Sequence, residues 1–265
     1  MEGLALAAVL LLLIVAERLP RVRFEPSNVL RRHVGTDLVY LATGAVGLGL
    51  AMRRAGVELA AAGGTLVPGV GALPPPLLAL LATVLYDLGG YGSHLALHRS
   101  GRLWRFHKVH HSSRLLDWLA AFRAHVVEHA LRHLISTVLL LLLGVPVWAV
   151  ATAAAIYTAW AALGHANLRV DLRFLEPLFI TPRLHRLHHV PATSTRNLGT
   201  IFSLWDRLRG SLVTEAPPGP LGVPGEIESY PQTWLHQLVE PLRDAQSRAR
   251  TSLAARSPDS TAPSM

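Results

Sequence analysis

Hydrophobic residues in this chain gather in five long apolar runs, which basic or Pro/Gly-containing stretches separate. Runs of this kind are typical of helices that lie in a bilayer, although several are shorter than the roughly 20 residues of a full span. The last two are separated only by Gly144-Val145-Pro146, which predicts a tight hairpin that does not cross completely. The five segments are approximately Gly3–Ala16, Leu38–Met52, Leu77–Leu97, Leu134–Leu143 and Val147–Leu163.

The basic residues between these segments predict how they are oriented. Residues 17–35, residues 99–132 and the C-terminal region are rich in arginine, whereas residues 56–76 hold no Lys or Arg. Because positively charged loops stay in the cytoplasm, we expect a multi-pass protein whose N-terminus faces outward and whose basic stretches are cytoplasmic. The pair Arg53-Arg54 departs from this pattern, since it would lie on the outer side.

The composition agrees with a membrane location. Hydrophobic residues make up 51% of the 265 residues and charged residues 16%, against about 25% charged residues in an ordinary soluble domain. The net charge of +8 comes almost entirely from arginines that flank the apolar runs, so anionic lipid headgroups, and not nucleic acid, are the expected partners. Glu2 precedes the first run and basic residues follow it, which indicates a membrane anchor rather than a signal peptide.

Together these patterns predict an all-α fold, an integral membrane helical bundle with a cytoplasmic histidine-rich helical cap. Residues 1–76 are expected to hold N-terminal membrane helices and linkers, and residues 77–214 further membrane helices and the histidine clusters. Residues 215–265 are expected to hold a Pro/Gly-rich loop, a C-terminal helix and a tail. Beyond about Ser247 the composition is small and polar and cannot bury a core, which predicts disorder.

The 14 histidines concentrate in three clusters beside the apolar segments, and the chain has no cysteine. A metal ion would therefore be held by His, Asp, Glu or backbone oxygen. His94 and His98 are spaced i, i+4, which places both on one helix face. The clusters His107-Lys-Val-His110-His111 and His185-Arg-Leu-His188-His189 share the spacing i, i+3, i+4, which predicts three rings on one side of each helix. Eight imidazoles exceed the needs of one ion, so two metal ions are predicted.

Each ligand imidazole would need its second nitrogen fixed by a carboxylate or a carbonyl. Asp87, Asp117, Glu128 and Asp206 are the candidate carboxylates. Asp87 lies in an apolar segment, where an ionisable group is costly, and we predict that it orients a ligand imidazole. The alternative is a hydrogen bond from its helix face to Tyr91 or to a backbone group.

The histidine clusters and their surroundings resemble the fatty acid hydroxylase / sterol desaturase superfamily. The resemblance covers roughly residues 87–213, about half of the chain. The family would have an aromatic residue where this chain has Leu198 and another where it has Arg209, which leaves the histidines unaffected. The matching stretches are His94-x-x-x-His98, Leu103–Ser113, Thr181–His189 and Asn197–Leu208.

This resemblance implies a non-haem di-iron centre at the cytosolic membrane face that hydroxylates or desaturates a lipid (a sterol, a fatty acyl chain or a related lipid), with O2 as co-substrate. It implies about nine histidine ligands, of which His165 would be the ninth, with His125 as a possible addition. Glu128, Asn197 and Asp206 join Asp87 as candidates to support the ligands. The implied metal ligands are His94, His98, His107, His110, His111, His165, His185, His188 and His189.

Electrons for such a reaction must come from a partner, because the chain has no G-x-G-x-x-G dinucleotide fingerprint. An acidic ferredoxin, or a cytochrome b5-like protein with its reductase, is the expected donor. We expect it to dock on the basic cytoplasmic surface.

Two other functions stay open. His125-Val-Val-Glu128-His129 fits the H-x-x-E-H motif of zinc peptidases, which predicts a zinc-dependent membrane hydrolase. Paired histidines acting as axial ligands would instead suit a non-enzymatic metal- or haem-binding membrane protein. We interpret His133 as structural, and His33 and His236 as ordinary surface or core residues.

Overall fold

The computed structural model of the chain describes residues 2–26, 31–61, 63, 65–217 and 219–243. Within these residues the secondary structure is helical, and paired extended backbone occurs only at two isolated bridges, Arg23–Leu168 and Phe179–Phe202. The all-α prediction is therefore confirmed. The tail predicted to be disordered beyond Ser247 lies outside the described residues.

The helices that the structure describes include those of the five predicted apolar segments and others outside them. They are α1 (Glu2–Ala16), α2 (Val34–Tyr40), which continues through a π-helical stretch (Leu41–Leu48) into α3 (Gly49–Ala61), α4 (Pro75–Arg99), α5 (Gly101–His111), α6 (Val126–Leu142), α7 (Val147–His165), α8 (Pro182–His188), α9 (Leu204–Arg209) and α10 (234–243). Short 3-10 turns lie between them at Val70–Ala72, Trp118–Phe122, Arg173–Leu175 and Pro191–Thr193.

The α6–α7 hairpin turns where the sequence predicts. Gly144 has a φ of 84°, in the left-handed region that favours glycine. Pro146 then precedes α7 at a position where no helical N–H is lost. However, α6 begins at Val126, two turns before the apolar segment. Its first turns carry Glu128 and His129, which are polar but buried, so hydropathy alone does not mark them as helix.

Helix α4 lies at the centre of the bundle and packs against both α6 and α7. Two glycines permit the close approach. A Cβ on Gly89 would lie 2.5 Å from the hydroxyl of Ser136 on α6, and one on Gly90 would lie 2.6 Å from the hydroxyl of Tyr157 on α7. Between these helices the buried apolar core includes Leu78, Ala82, Leu140, Ala149 and Ala153. This packing fixes the C-terminal end of α4, which carries the first histidine cluster.

Two helical stretches, Val34–Glu58 and Val147–His165, are long and apolar enough to cross a membrane by length and composition. Helix α1 is apolar but has 15 residues. Large apolar side chains on the outside of α1 and α4, such as Leu11, Leu12 and Leu80, are exposed. Such a surface is what contact with lipid requires. The number of spans and the cytoplasmic placement of the histidine-bearing end stay predictions.

Candidate metal centre

The histidines of α4, α5, α7 and α8 come together in two adjacent groups. Within each group, the ring nitrogens that could bind a metal lie within 4.8 Å of one another. All nine histidines anticipated as ligands belong to one group or the other. The five-histidine group consists of His94, His98, His107, His111 and His188, and the four-histidine group of His110, His165, His185 and His189.

Each H-x-x-H-H cluster contributes to both groups, which differs from the prediction that its three rings share one side. His107 and His111 join the five-histidine group, whereas His110 joins the four-histidine group. The reason is helix geometry: adjacent residues are about 100° apart around the axis. The i, i+4 pair therefore shares a face, while the residue between them points elsewhere. One short helix can thus supply ligands to two neighbouring ions.

A single residue, Ser100, separates α4 from α5 and sets the first two clusters against each other. Its side chain caps α5 by accepting a hydrogen bond from the backbone N–H of Leu103. Nε2 of His107 then lies 3.1 Å from Nε2 of His94 and 3.0 Å from Nε2 of His98. The chain reversal at Ser100 therefore converts two helical histidine patterns into one cluster.

Backbone carbonyls hold four of the rings in place. Nδ1 donates a hydrogen bond to a carbonyl oxygen in each case, at distances between 2.8 and 3.1 Å. With the proton on Nδ1, the lone pair of Nε2 faces the neighbouring histidines, as a metal ligand requires. The pairs are His94 with Leu198, His110 with Arg123, His165 with Ala161 and His188 with Arg196.

Glu128 is the carboxylate that meets a clustered imidazole. Its Oε1 lies 2.8 Å from Nδ1 of His107, and both side chains are fully buried. Arg132, one turn along α6, donates a hydrogen bond of 3.3 Å to the same oxygen. Glu128 therefore lies where a carboxylate could orient the imidazole of His107 and place a negative charge beside it.

Asp87 does not orient an imidazole, so that prediction is wrong. Its carboxylate accepts hydrogen bonds from the backbone N–H groups of Ile201 (2.9 Å) and Phe202 (3.1 Å) and from the indole of Trp205 (2.8 Å). Asp87 shares a helix face with His94, but seven residues correspond to about 10 Å along the axis. The carboxylate instead fixes the segment after the third histidine cluster.

The other polar candidates also act on backbone. Asp206 accepts from the N–H of Gly199 (2.7 Å) and the hydroxyl of Ser211 (2.6 Å). Asn197, at a left-handed φ of 52°, donates to the carbonyls of Leu184 (3.0 Å) and Val213 (2.8 Å). These bonds hold the loop whose Leu198 carbonyl accepts the hydrogen bond from Nδ1 of His94.

Asp117, also a candidate, lies away from the imidazoles. It accepts hydrogen bonds from the guanidinium of Arg31 and from the backbone N–H of Ala120. Together with Asp37 and Arg123 it forms a buried charged network beside α2. Its role is to join this part of the chain to the bundle.

The residues of the H-x-x-E-H motif are not among the groups that could hold a metal ion in the described part of the chain. His125 caps α6, since its Nδ1 accepts from the N–H of Val127 (3.1 Å) and its Nε2 donates to the carbonyl of Leu238 (3.2 Å). Nε2 of His129 lies 3.3 Å from the carbonyl of Phe122. Neither ring belongs to the two histidine groups. His125 is therefore not placed as a metal ligand, and Glu128 turns to His107 instead.

The spacing of the clustered nitrogens fits metal ions. Pairs of Nε2 atoms within the groups lie 3.0 to 3.3 Å apart. Two nitrogens bound to one ion at ~2.1 Å would lie roughly 3.0–3.4 Å apart, depending on the angle at the ion. Nε2 of His188 is buried and has no hydrogen-bond partner among the described residues. A buried orphan nitrogen is costly unless something binds it.

Burial also favours the protonation state that binds metal. It lowers the pKa of five clustered imidazoles well below their ordinary value of 6.5, and neighbouring imidazoles add to this effect. Neutral rings are the form that coordinates an ion. The residues concerned are His110, His111, His185, His188 and His189.

An apolar cavity of about 420 Å³ reaches the four-histidine group, where His110, His165 and His185 line its inner end. It runs between α1, α3, α6 and α7, and Glu2 and Arg53 line it as well. Its walls are mostly aliphatic and small side chains, including Leu6, Leu10, Leu141, Val150, Ala151 and Ala154. A space of this shape suits a hydrocarbon chain.

The cavity also contains polar residues that sequence reasoning missed. Arg132 donates hydrogen bonds to the hydroxyls of Tyr157 (2.9 Å) and Thr200 (3.3 Å), and all three line the cavity. A signal was available, because Arg132 follows Glu128 by four residues and so shares its helix face. Tyr157 and Thr200 carry no comparable pattern in the sequence.

Comparison with known proteins agrees with this site. The sequence model of the fatty acid hydroxylase family matches residues 79–211, half of the chain. Ornithine lipid hydroxylase OlsE of Rhizobium tropici is 30% identical over 72% of this chain and 63% of its own length. Alkylglycerol monooxygenase of Danio rerio is 33% identical over 57% of this chain and 34% of its own length. The chain thus spans less than two thirds of these relatives.

No solved structure matches the chain significantly. The family match begins within α4, ends just after α9 and includes all nine clustered histidines. The resemblance predicted from the histidine motifs is confirmed, and the chain belongs to the fatty acid hydroxylase family.

Proposed function

We propose that this protein is a membrane-bound di-iron oxygenase that hydroxylates a lipid with O2 and electrons from an external donor. The observation that carries the proposal is the meeting of two histidine groups with the inner end of an apolar cavity. Hydroxylation is favoured over desaturation because the relatives are a hydroxylase and a monooxygenase by name.

The five-histidine group would hold one iron and the four-histidine group the other. Imidazole suits iron, and the separations of the nitrogens are compatible with shared ions. Two irons would supply the redox chemistry that oxidises an aliphatic C–H bond, which acid–base chemistry of side chains cannot break. The other contributions to the reaction would come from residues of this chain.

Those residues would position the metal ligands and the lipid chain. Four backbone carbonyls keep the proton of a clustered imidazole on Nδ1, the nitrogen that faces away from the other histidines. They belong to Leu198, Arg123, Ala161 and Arg196. Glu128 supplies a buried negative charge beside His107. The aliphatic walls of the cavity would hold a lipid chain in a dry environment with one carbon next to the four-histidine group.

The membrane arrangement follows from the same features. We infer a multi-pass protein whose histidine-bearing end faces the cytoplasm, with Val34–Glu58 and Val147–His165 among the spans. The cavity lies between helices with exposed apolar surfaces, so a lipid would enter it from the bilayer. A soluble ferredoxin or cytochrome b5-like protein would then supply electrons at the cytoplasmic face.

Metal content and lipid products test this proposal together. The purified chain is expected to hold two irons, and cells that express it are expected to accumulate a lipid one oxygen atom heavier. His188→Ala should abolish the product, because it removes a buried nitrogen of the five-histidine group. His236→Ala is the control, since that ring bonds Thr233 outside both groups.

Other outcomes would identify a different function. One zinc per chain, with loss of activity in Glu128→Ala but not in His188→Ala, would favour a hydrolase. A Soret absorption band would favour a haem protein. A product lighter by two hydrogens would replace hydroxylation with desaturation while leaving the di-iron site in place.

A further inference from the structure

A second cleft, of about 360 Å³, reaches the five-histidine group from the protein surface. It is lined by Leu95, His98, Arg99, Thr195, Arg196, Leu198, Arg209 and Ser211. His98 is partly exposed, whereas the other eight clustered histidines are buried. The cleft therefore leads to the one clustered ring that is partly exposed.

The cleft is strongly basic. Arg99, Arg196 and Arg209 are exposed, and none of the three forms an ion pair with a carboxylate in the part of the chain that the structure describes. The guanidinium of Arg196 donates one hydrogen bond among the described residues, of 3.3 Å, to the carbonyl of Gly210. The nearby carboxylate of Asp206 is buried and accepts from Gly199 and Ser211 instead. Among the described residues, three positive charges without a carboxylate partner therefore line the approach to His98.

An exposed apolar residue neighbours Arg209 on α9. Leu208 is 76% exposed and lies between the exposed Arg207 and Arg209 on α9. A large apolar residue among arginines is typical of protein–protein contact surfaces, where an apolar centre is combined with a charged rim. A site for a small anion would not need it.

The basic cleft and the apolar cavity are separate. They share no lining residue: the cavity touches His110, His165 and His185, and the cleft touches His98. Each histidine group thus has its own approach. The indole of Trp104 packs against both His98 and His111, at ring-centre distances of 5.1 and 5.2 Å, and joins the cleft side to the interior.

We propose that this cleft, defined by Arg99, Arg196, Arg209 and the adjacent Leu208, is the docking surface for an acidic one-electron carrier protein of the iron–sulfur or haem type. Electrons arrive at the edge of His98. This inference rests on the proposed function. Two reduced carriers each supply one electron; with two protons and O2, one oxygen atom goes into the C–H bond of the lipid and the other leaves as water.

Direct binding tests the docking surface. The probe is a reduced or oxidised acidic [2Fe–2S] ferredoxin, and the protein is the iron-loaded full chain in nanodiscs of neutral lipid. Wild type is expected to bind with an affinity that falls steeply with salt. A triple variant, Arg99→Glu with Arg196→Glu and Arg209→Glu, is expected to bind at least about tenfold more weakly and with a shallower salt dependence.

A matched control carries Arg21→Glu, Arg169→Glu and Arg173→Glu, which change the net charge equally at exposed positions outside the cleft. Its affinity for the ferredoxin should stay within about twofold of wild type. If charge reversal in the cleft prevents folding, the corresponding triple Gln variant replaces it. Equal affinity and equal salt dependence in wild type and cleft variant would overturn the proposal.

Binding to vesicles of anionic phosphatidylglycerol distinguishes carrier docking from contact of this surface with the membrane. If the cleft variant loses vesicle binding but retains ferredoxin binding, the surface belongs to the bilayer and the proposal is wrong. Turnover with dithionite in place of the ferredoxin tests the oxygenase reaction independently of carrier docking. If wild type holds iron and turns over with dithionite, only the docking proposal is at stake; if it does neither, the oxygenase proposal has failed.

Discussion

Glu128 and His107 meet inside the protein, with a carboxylate oxygen 2.8 Å from Nδ1 of the imidazole and both side chains fully buried. A negative charge so placed increases the electron density of the ring and makes its other nitrogen a stronger ligand. Arg132 contacts the same carboxylate and balances its charge. The contact therefore connects α6, which carries none of the nine clustered histidines, to the five-histidine group.

Glu128→Gln is expected to empty the five-histidine group first. The amide can still accept a hydrogen bond from His107, but the charge is lost and Arg132 keeps an uncompensated positive charge nearby. Loss of such a supporting group typically costs about 10–100-fold in metal affinity or activity. Elemental analysis should show iron falling from two toward one per chain, with lipid turnover reduced by a similar factor.

Glu58→Gln serves as the control for this change, because Glu58 is exposed and pairs only with Arg54 one turn away. It should leave iron content and turnover at the wild-type level. Two irons retained by Glu128→Gln at limiting iron concentration would show that the Glu128–His107 contact has no part in holding the metal.

Asp87→Ala is expected to destabilise the whole bundle. The carboxylate holds two backbone N–H groups and an indole from residues 201–205, and all three donors would be left without a partner. Each buried N–H donor left without a partner costs roughly 1–3 kcal/mol. Thermal unfolding in detergent should show a clearly lower midpoint for this variant.

Asp87→Asn should recover only part of this loss, because its amide oxygen can still accept from Phe202 and Trp205 whereas its amide nitrogen would face the N–H of Ile201. The exposed Asp171→Asn, which loses only a surface pair with Arg173, should unfold like wild type. If Asp87→Ala unfolded at the wild-type temperature but lost iron, the side chain would act on the metal site and not on the fold.

Much of the site was predictable because it is encoded locally. The i, i+4 spacing of His94 and His98, and of the outer pair in each H-x-x-H-H cluster, is itself the geometry that lets two rings share an ion. The split of His110 from its neighbours follows from the same helical rotation, although it was not predicted. The glycine-proline turn between α6 and α7 is equally local.

What the sequence did not predict depends on contacts between distant parts of the chain. Asp87 finds its partners more than a hundred residues away, and no spacing rule points to Ile201. His125 satisfies a zinc motif in sequence but caps a helix in space. The cavity is a space left between four helices, so its existence and its lining follow only from their packing.

Ala151→Phe is expected to shorten the range of lipid chains that the protein accepts. Ala151 lines the cavity on α7, and a phenyl ring there would occupy room that a hydrocarbon chain needs. Turnover of long-chain lipids should fall at least about tenfold, while short-chain lipids and iron content change little. Product analysis with lipids of graded chain length measures the effect.

Ile156→Phe provides the comparison on the same helix, because Ile156 is exposed on the outside. It adds a ring of the same size without entering the cavity, so its chain-length profile should match that of wild type. An unchanged profile in Ala151→Phe would show that lipid chains do not occupy this space.

Glu17 is expected to make stability depend on pH. Burial raises the pKa of its carboxyl from its ordinary value near 4.5 to about 7, although Oε1 accepts hydrogen bonds from the N–H groups of Trp118 (2.8 Å) and Asn167 (2.9 Å). The folded state therefore holds a proton that the unfolded state releases earlier. This contribution to stability is fully present below about pH 4.5 and is lost as the pH rises through about 7.

Glu17→Gln should remove that dependence, because the amide stays neutral and keeps an oxygen for both backbone donors. The variant should be more stable than wild type above pH 7 by roughly 2–3 kcal/mol and similar to it at the acid end of the window. Unfolding in denaturant between about pH 4.5 and 8 measures this. Parallel curves for the two proteins would mean that Glu17 is already ionised in the fold, with a partner for its second oxygen.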